Sequence, residues 1–244
     1  ALRLKRYKKR LFIILSKIIG LYGNVLWHAT SDLEKEHIQK IFGDKIHVAV
    51  ANNLTSNYNG LSYDKCIKKH KGELKVAFVS RIHPKKNLKF AIQLLSKIKG
   101  TVIFNIYGPI EDVKYWEDCK REITLLPPNV KVVYQGVVSH EEVIAVFKNH
   151  HVFLFPTLGE NYGHVISEAF IGGCPVIVSD QTPWRGLEAL HVGWDISLKD
   201  KQKYTSVLEG LIDMRKEEYE NMSMNAFNYG LKSSKSDGII DLYR

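Results

Sequence analysis

One nine-residue stretch decides the fold: Glu160-Asn161-Tyr162-Gly163-His164-Val165-Ile166-Ser167-Glu168. It lies between two apolar runs, Val152-Phe153-Leu154-Phe155 before it and Pro175-Val176-Ile177-Val178 after it. Short apolar runs on both sides of a helical segment predict buried strands of a parallel sheet. A helix that begins at Gly163 exposes backbone N–H groups and the positive end of its dipole, and these bind anions. The stretch therefore predicts an anion-binding loop between a strand and a helix.

The predicted helix has one apolar face. At about 100° per residue, that face holds four side chains that would pack on the sheet: Val165, Ile166, Ala169 and Phe170. His164 and Glu168 lie off this face and are expected to point into a cleft. With Glu160 in the loop, two carboxylates flank the helix N-terminus, which suits a ligand with phosphate and hydroxyl groups. The alternative interpretation is an ordinary amphipathic helix with an exposed Glu168.

Apolar segments alternate with helical ones from Leu74 onward. Strands are predicted at 74–79, 101–107, 130–135, 152–155, 175–178 and 194–196, and helices at 87–98, 113–125, 140–149, 163–172, 184–190, 201–215 and 217–229. This alternation predicts an α/β fold with a doubly wound, Rossmann-like parallel sheet, whose ligands lie beyond the carboxyl ends of the strands. Before it, we predict helices at 4–20 and 32–43, strands at 24–29 and 46–50, and a polar linker over 51–72.

The positive charge of the chain is concentrated at one end. Seven basic residues and no acidic ones lie between residues 3 and 17, and removing them from the net charge of +9 leaves +2. This distribution argues against a nucleic-acid-binding face. The three cysteines are widely spaced, which indicates neither a zinc site nor a disulfide framework and fits a reducing, cytoplasmic compartment. No grouping of His, Asp and Glu has metal-ligand spacing, so we predict no bound metal.

The basic segment also contains an apolar run, Leu11-Phe12-Ile13-Ile14-Leu15. The run is too short to span a membrane, and Lys17 interrupts it, so it is not a signal peptide either. One interpretation is a basic amphipathic helix over 3–17 that lies on the inner face of an anionic membrane. The other is a helix of a larger domain with one solvated face.

Further candidate site residues follow other predicted strands. Ser80-Arg81-Ile82-His83-Pro84-Lys85-Lys86-Asn87 comes directly after the first strand of the sheet, where Arg81 and Lys86 offer a planar fork and a mobile cation for phosphate oxygens. Alone, this is also a plain basic loop.

Tyr107-Gly108 and Gly136-Val137-Val138 end the next two strands, where glycine permits close approach by a ligand and Tyr107 is a candidate to flank a base. Both are also good turns. We expect His140, His150 and His151 to be surface or capping residues.

These motifs together resemble the C-terminal, donor-binding domain of the family 4 glycosyltransferases, which have the GT-B fold. The resemblance covers about residues 74–180 and rests on Ser80-Arg81 with Lys86, Gly108, Gln135-Gly136, Phe155-Pro156-Thr157, Glu160-Asn161-Tyr162-Gly163, Glu168-Ala169 and Gly173-Cys174-Pro175-Val176-Ile177. The first fifty residues are similar to the end of that family's N-terminal domain, through His28-Ala29-Thr30-Ser31, Glu34, Glu36 and Lys45-Ile46-His47-Val48.

The resemblance implies roles for the candidate residues. Arg81 and Lys86 would hold the donor diphosphate, with backbone N–H groups around Gly163 and His164. Glu168 would bind the ribose hydroxyls, and Glu160 would contact the donor sugar or the charge at its anomeric carbon. The remaining residues expected around the donor are Tyr107, Gly108, Val138, Asn161 and Tyr162. The family transfers sugar with retention and without a metal or other cofactor, and its donors include UDP- and GDP-linked sugars.

The chain departs from the family pattern in two ways. Asparagines stand at positions where the family often has glycine, namely Asn161, Asn87 and one residue of Asn52-Asn53, although asparagine tolerates the left-handed conformation. The chain also resembles a fragment, because the acceptor-binding half is missing. The implied organisation is a remnant of the N-terminal domain at 1–50, an interdomain linker at 51–73, the donor-binding domain at 74–216, and a C-terminal helix and tail at 217–244.

The function predicted from these observations is transfer of a sugar from a nucleotide-sugar to a glycan, lipid or other acceptor, with the chain as the donor-binding part. Two alternatives remain open at this point: a nucleotide-sugar 2-epimerase-like enzyme on the same fold, and a non-catalytic binding module. The first fifty residues lack most of their own domain, and their apolar side chains need another surface. We expect them to pack on the C-terminal domain or on a second copy of the chain.

Overall fold

The computed structural model describes residues 6–22, 25–29, 32–44, 46–50, 58 and 60–234. They belong to two compact units, a smaller one within residues 1–54 and a larger one within residues 55–236. Several residues named above lie outside the described part: residues 3–5 of the basic segment, Thr30-Ser31, Lys45 and Asn52-Asn53.

The smaller unit contains two helices and two strands. They are α1 (Arg6–Ile18), β1 (Trp27–Ala29), α2 (Asp32–Phe42) and β2 (Val48–Val50), and the two strands pair in parallel. Trp27 packs against Tyr22 and Phe42, with ring centroids 5.4 and 4.5 Å away. Much of α1 exposes large apolar side chains, among them Leu11, Phe12, Ile14 and Leu15. Among the described helices of both units, none is long and apolar enough to cross a bilayer.

The larger unit is built on six parallel strands. They are β3 (Glu73–Val79), β4 (Thr101–Tyr107), β5 (Val130–Gly136), β6 (Val152–Phe155), β7 (Val176–Ser179) and β8 (Gly193–Ile196), in the order β5-β4-β3-β6-β7-β8. The chain builds outward from β3 in one direction and then returns to the other side of it with β6. The topological switch point, where open α/β sheets bind their ligands, is therefore between β3 and β6.

Helices cover the sheet in two groups. The helices are α3 (Leu88–Leu94), α4 (Val113–Ile123), α5 (His140–Lys148), α6 (His164–Ile171), α7 (Lys201–Asp213) and α8 (Lys216–Ser234), with short 3-10 turns at Pro84–Lys86 and Leu95–Lys97. One group consists of α3, α4 and α7, and the other of α5, α6 and α8. Strands β6 and β7 are buried along their whole length, as their continuous apolar runs predicted. The predicted doubly wound α/β fold is confirmed.

The predicted helix at 184–190 is wrong. This stretch has no regular structure at 184–186 and forms turns at 187–190, because Gly186 has a φ of +67° and the backbone N–H of Leu187 donates to Asp195 Oδ1, 3.0 Å away on β8. Trp184 is buried and directs its ring into the core. The predicted helix at 87–98 is α-helical only to Leu94 and continues as a 3-10 turn. The helix predicted from Gly163 begins one residue later, because Gly163 is its left-handed N-cap.

The prediction that His150 and His151 are surface or capping residues is also wrong, since they are 1% and 4% exposed. His151 Nδ1 accepts from the backbone N–H of Lys75 at 2.8 Å, so Nε2 carries the proton and donates to the Lys68 carbonyl at 3.1 Å. His150 Nδ1 lies 2.6 Å from the carbonyl of Val146, one helical turn back in α5. These bonds fix both rings as neutral tautomers inside the domain.

The segment before β3 has no regular structure, yet side chains fasten it to the larger unit. Lys65 Nζ donates to the carbonyls of Phe147 and His150, both at 2.7 Å, and of Gly172 at 3.3 Å. These carbonyls lie at the ends of α5 and α6, where helices have unsatisfied acceptors. Burial lowers the pKa of Lys65 to about 8. One lysine thus fixes the C-terminal ends of two helices, and α6 carries the candidate site at its other end.

Candidate functional site

Two loops meet at the switch point, one after β3 (residues 80–87) and one after β6 (residues 156–163). Three hydrogen bonds join them: Asn87 Nδ2 donates to the Pro156 carbonyl at 2.9 Å, and the Lys85 carbonyl accepts from the Thr157 hydroxyl at 3.1 Å and from the Leu158 N–H at 2.8 Å. Asn87 is left-handed, with φ 61° and ψ 36°, a conformation that asparagine tolerates. The two loops that the sequence placed on neighbouring strand ends therefore form one surface.

A shielded ion pair lies between these loops. Lys86 Nζ donates to Glu160 Oε2, and the two side chains are only 10% and 18% exposed. The ammonium also lies 5.3 Å from the centroid of the Phe155 ring, at the end of β6. Pro84 begins the 3-10 turn, and His83 Nδ1 accepts from the backbone N–H of Lys85 at 3.1 Å, which directs Lys86 inward. The pair brings a cation and a carboxylate together at the switch point.

The N-terminus of α6 opens beside Glu160. Gly163 precedes the helix with a φ of 81°, and an added Cβ would lie 2.9 Å from Ile166 Cδ1 and 3.1 Å from Glu160 Cγ. Glycine is therefore required both by conformation and by space. The ring of Tyr162 lies 4.9 Å from the ring of His164, the first helical residue. The dipole of α6 points its positive end at this loop, next to the ion pair of Lys86.

Glu168, inside α6, is only 7% exposed. Its Oε1 lies 3.1 Å from His140 Nδ1, and the His140 side chain is 68% exposed. Burial raises the pKa of Glu168, and the neighbouring His140 opposes that shift. His140 begins α5, and Ser139 and Glu142 form a capping box there that fixes the start of the helix. The predicted surface position of His140 is confirmed, but its contact with Glu168 was missed, because it depends on how α5 packs on α6.

Arg81 lies at the same end of β3 as Lys86, but it contacts a different partner. Its Nη1 donates to Glu111 Oε1 at 2.9 Å, and the two side chains are 59% and 43% exposed. Glu111 belongs to the loop after β4. The structure therefore brings Lys86 and Glu160 together and leaves Arg81 in an exposed ion pair at the rim.

The predicted residues on β4 and β5 occupy the same edge of the sheet. Gly108 has a φ of 132°, and a Cβ there would lie 2.1 Å from the Ser80 carbonyl oxygen. Contact with the backbone of the neighbouring loop thus explains this glycine without a ligand. Tyr107 is half-buried with its ring 5.8 Å from that of His150, and burial raises its pKa. Val138 is half-buried just before α5. Their roles in donor binding stay predictions.

Another residue at the site was missed by the sequence analysis altogether. Trp184 Nε1 donates to the Tyr162 carbonyl at 2.7 Å, immediately before Gly163. The only signal in the sequence was a large aromatic residue in a segment predicted to be a helix. Among the described residues, no three His, Cys, Asp or Glu side chains are grouped so that they could hold a metal ion.

The fold and the site define a Rossmann-like α/β domain of the GT-B type, with its charged groups at the switch point. The family model described as glycosyl transferases group 1 matches residues 63–229, which is more than half of the chain. The chain belongs to this family.

Known proteins resemble the chain either in sequence or in fold. An uncharacterized 41.2 kDa protein in the cps region of Klebsiella pneumoniae is 25% identical, over 98% of this chain and 66% of that protein. The crystal structure of HepE from Anabaena, in complex with UDP and glucose, superposes with a TM-score of 0.75 at 16% identity, over 96% of this chain and 66% of HepE. Sucrose-phosphate synthase from Thermosynechococcus elongatus gives a TM-score of 0.68 at 17% identity, over 95% of this chain and 60% of that one. The chain therefore spans between 60% and 66% of the length of these proteins.

Proposed function

We propose that the chain is the donor-binding part of a retaining family 4 glycosyltransferase, which transfers a sugar from a nucleotide-sugar to a glycan, lipid or other acceptor. The observation that carries the proposal is the placement of three groups at the switch point. The Lys86–Glu160 pair and the N-terminus of α6 lie side by side, and Glu168 lies on the same helix. The resemblance to HepE, which was crystallised with UDP and glucose, supports a nucleotide-sugar as the ligand.

Each group suits one part of such a ligand. Glu168 would accept hydrogen bonds from the two ribose hydroxyls, because a buried carboxylate offers two oxygens at fixed positions. Lys86, Arg81 and the N–H groups at the start of α6 would hold the diphosphate. Glu160, ion-paired with Lys86, would lie next to the donor sugar. When the bond between the anomeric carbon and the diphosphate oxygen breaks, the negative charge that develops on the leaving diphosphate would be stabilised by Lys86 and the helix dipole.

This arrangement leads us to propose that transfer does not depend on a metal, because fixed positive groups already stand where the leaving charge develops. The first test is a thermal-shift screen of UDP, GDP and their sugar conjugates, with and without EDTA. A ligand at 100 times its dissociation constant stabilises the protein by ~2.7 kcal/mol, which such a screen resolves easily. Absence of any shift with all these ligands would refute the proposal, and a shift that EDTA abolishes and Mg²⁺ or Mn²⁺ restores would refute its metal-free part.

Glu168→Gln is expected to weaken binding of the nucleoside diphosphate by roughly 10-fold or more. Glutamine keeps the shape of the side chain but loses the charge and one acceptor, and charge-assisted hydrogen bonds contribute about 1.5–3 kcal/mol. Calorimetry with the diphosphate and with the bare nucleoside measures the effect, which should be similar for both because both contain the ribose. Glu141→Gln, an exposed change at the start of α5, is the matched control. Unchanged affinity in Glu168→Gln would remove this residue from the ribose role.

His140→Asn is expected to make nucleoside diphosphate binding more sensitive to acid. Burial raises the pKa of Glu168, so the ionised carboxylate is lost as the pH falls through that pKa. Without His140, whose charge interaction lowers the pKa of Glu168, this loss moves to higher pH. We expect about two- to fivefold weaker binding than in the wild type at pH 6, and less than twofold at pH 8, by calorimetry. An identical ratio at both pH values would show that His140 does not act through the charge of Glu168.

A further inference from the structure

The end of β7 and the connection from it to β8 contact the loop that we call the donor loop, residues 157–163. Three hydrogen bonds join the two segments. The Ser179 hydroxyl donates to the Thr157 carbonyl at 2.5 Å, the Glu160 N–H donates to the Gln181 carbonyl at 3.0 Å, and Trp184 Nε1 donates to the Tyr162 carbonyl at 2.7 Å. The bonds are spread along the donor loop, so its path is determined from outside as well as by its own sequence.

Of these three contacts, the one from Trp184 is made by a large buried side chain. It is 7% exposed, and its ring lies among three others: Tyr162 at 5.6 Å, Phe170 at 5.4 Å and Tyr229 at 6.0 Å between centroids. Phe170 is in α6 and Tyr229 in α8, so the indole is held by two helices that pack on each other. An indole N–H can only donate, and a buried one needs an acceptor. Here the acceptor is a backbone carbonyl of the donor loop, and the donor is a side chain packed against α6 and α8.

The position of that acceptor matters for the ligand. The Tyr162 carbonyl belongs to the peptide that leads into Gly163, the left-handed N-cap of α6. Glycine has no Cβ and adopts positive and negative φ about equally readily, so its flanking peptides can rotate at little cost unless another group fixes them. Fixing the Tyr162–Gly163 peptide plane fixes the conformation of Gly163, and with it the direction in which the first N–H groups of α6 point. Those groups contribute to anion binding only when they converge on one place.

We propose that Trp184 is a positioning residue, whose indole N–H locks the Tyr162–Gly163 peptide and so preorganises the α6 N-terminus for the donor diphosphate. This inference rests on the proposed function, since it takes the diphosphate as the ligand of that helix end. Trp184 itself touches no part of the ligand in this scheme. The ring supplies packing, and the N–H supplies the orientation. Without the N–H, the loop must be ordered at the moment of binding, and that cost reduces affinity.

The test compares Trp184→Phe, which keeps an aromatic ring and removes the donor, with Trp194→Phe, a matched change on the edge strand β8. Calorimetry measures the affinities of the nucleoside diphosphate and the bare nucleoside, and hydrogen exchange measures the amides of 159–166. Trp184→Phe should weaken binding of the diphosphate about five- to tenfold, which is the scale of one hydrogen bond. It should change the affinity for the nucleoside less than twofold, and it should speed hydrogen exchange of the amides in 159–166. Trp194→Phe should change none of these.

A second variant separates orientation from packing. Replacement of Trp184 by 3-benzothienylalanine keeps the size of the indole and substitutes sulfur for the N–H, so folding should be preserved even where phenylalanine leaves a cavity. It should reproduce the loss of diphosphate affinity. Wild-type affinity in this variant, or equal losses for diphosphate and nucleoside, would overturn the positioning role. Failure of the wild type to bind any nucleoside diphosphate would instead overturn the proposed function, and the two failures are therefore distinguishable.

Discussion

Lys86→Ala is expected to weaken binding of the nucleoside diphosphate by roughly 10- to 150-fold, because a hydrogen bond from a cation to phosphate contributes about 1.5–3 kcal/mol. The bare nucleoside should lose little, since Lys86 acts on phosphate and not on base or ribose. Lys85→Ala is the matched control: Lys85 directly precedes Lys86 in the same loop, but its side chain is exposed. Calorimetry with both ligands on the three proteins measures the difference. Equal losses for diphosphate and nucleoside would show that Lys86 only shapes the loop.

The same substitution has a second consequence for folding. Lys86→Ala leaves the Glu160 carboxylate, 18% exposed, without its cation. An unpaired charge at this depth costs more than the pair contributes, so we expect Lys86→Ala to lower the melting temperature. Adding Glu160→Gln should recover part of this loss, because it removes the stranded charge, but it should recover none of the diphosphate affinity. This double variant separates the stability of the loop from its affinity for the ligand.

Local chemistry made much of the site predictable. The strand before the donor loop, the glycine at the start of α6 and the two carboxylates eight residues apart all follow from a short stretch of sequence. The meeting of the loops after β3 and β6 followed from the general rule that parallel strands present their carboxyl ends at one edge. Lys86 and Glu160 are far apart in the chain, but that rule placed them on the same edge of the sheet.

The remaining contacts depend on packing that periodicity does not report. His140 reaches Glu168 only because α5 packs beside α6, and a helix-start histidine alone carries no sign of that. Trp184 was placed in a helix predicted at 184–190, whereas the positive φ of Gly186 and the bond from the Leu187 N–H to the Asp195 side chain on β8 accompany an irregular path there. Lys65 was read as part of a polar linker, although three carbonyls at the ends of α5 and α6 hold its ammonium. In each case a tertiary partner overrode the local pattern.

Acid is expected to destabilise the larger unit well above the range in which ordinary carboxylates titrate, because two buried histidines must remain neutral. Burial lowers the pKa of His150 to about 3 and that of His151 to about 4. The nearby charges are Lys65 and Lys75 for both rings and Lys69 for His151, and all of them disfavour the protonated form. Protonation would also place a new N–H against a hydrogen-bond donor in each case. At His150 Nε2 this donor is the Asn105 side-chain amide, and at His151 Nδ1 it is the backbone N–H of Lys75.

The direction of this pH dependence follows from how many protons the folded and unfolded states bind. In the unfolded chain both histidines titrate near pH 6.5, so below that pH the unfolded state binds more protons than the folded state. Stability is therefore fully present above pH 6.5 and falls as the pH decreases toward the folded pKa values. Each histidine lowers the free energy of unfolding by about 1.4 kcal/mol per pH unit in this window, so the pair contributes on the order of 3–4 kcal/mol between pH 6 and pH 4.5.

Urea denaturation at half-unit steps from pH 8 to pH 4.5 measures this loss. His150→Gln with His151→Gln should be less stable than the wild type at pH 8, because two well-bonded rings are lost, but its stability should change far less between pH 6.5 and 5. His70→Gln, a change at an exposed histidine, should keep the wild-type slope. A double variant with the same slope as the wild type would mean that other groups control the acid transition. The comparison with the double variant is needed because the buried carboxyl of Glu168 affects stability in the same experiment with the opposite sign. Its pKa is raised in the folded state, so this group stabilises the protein as the pH falls.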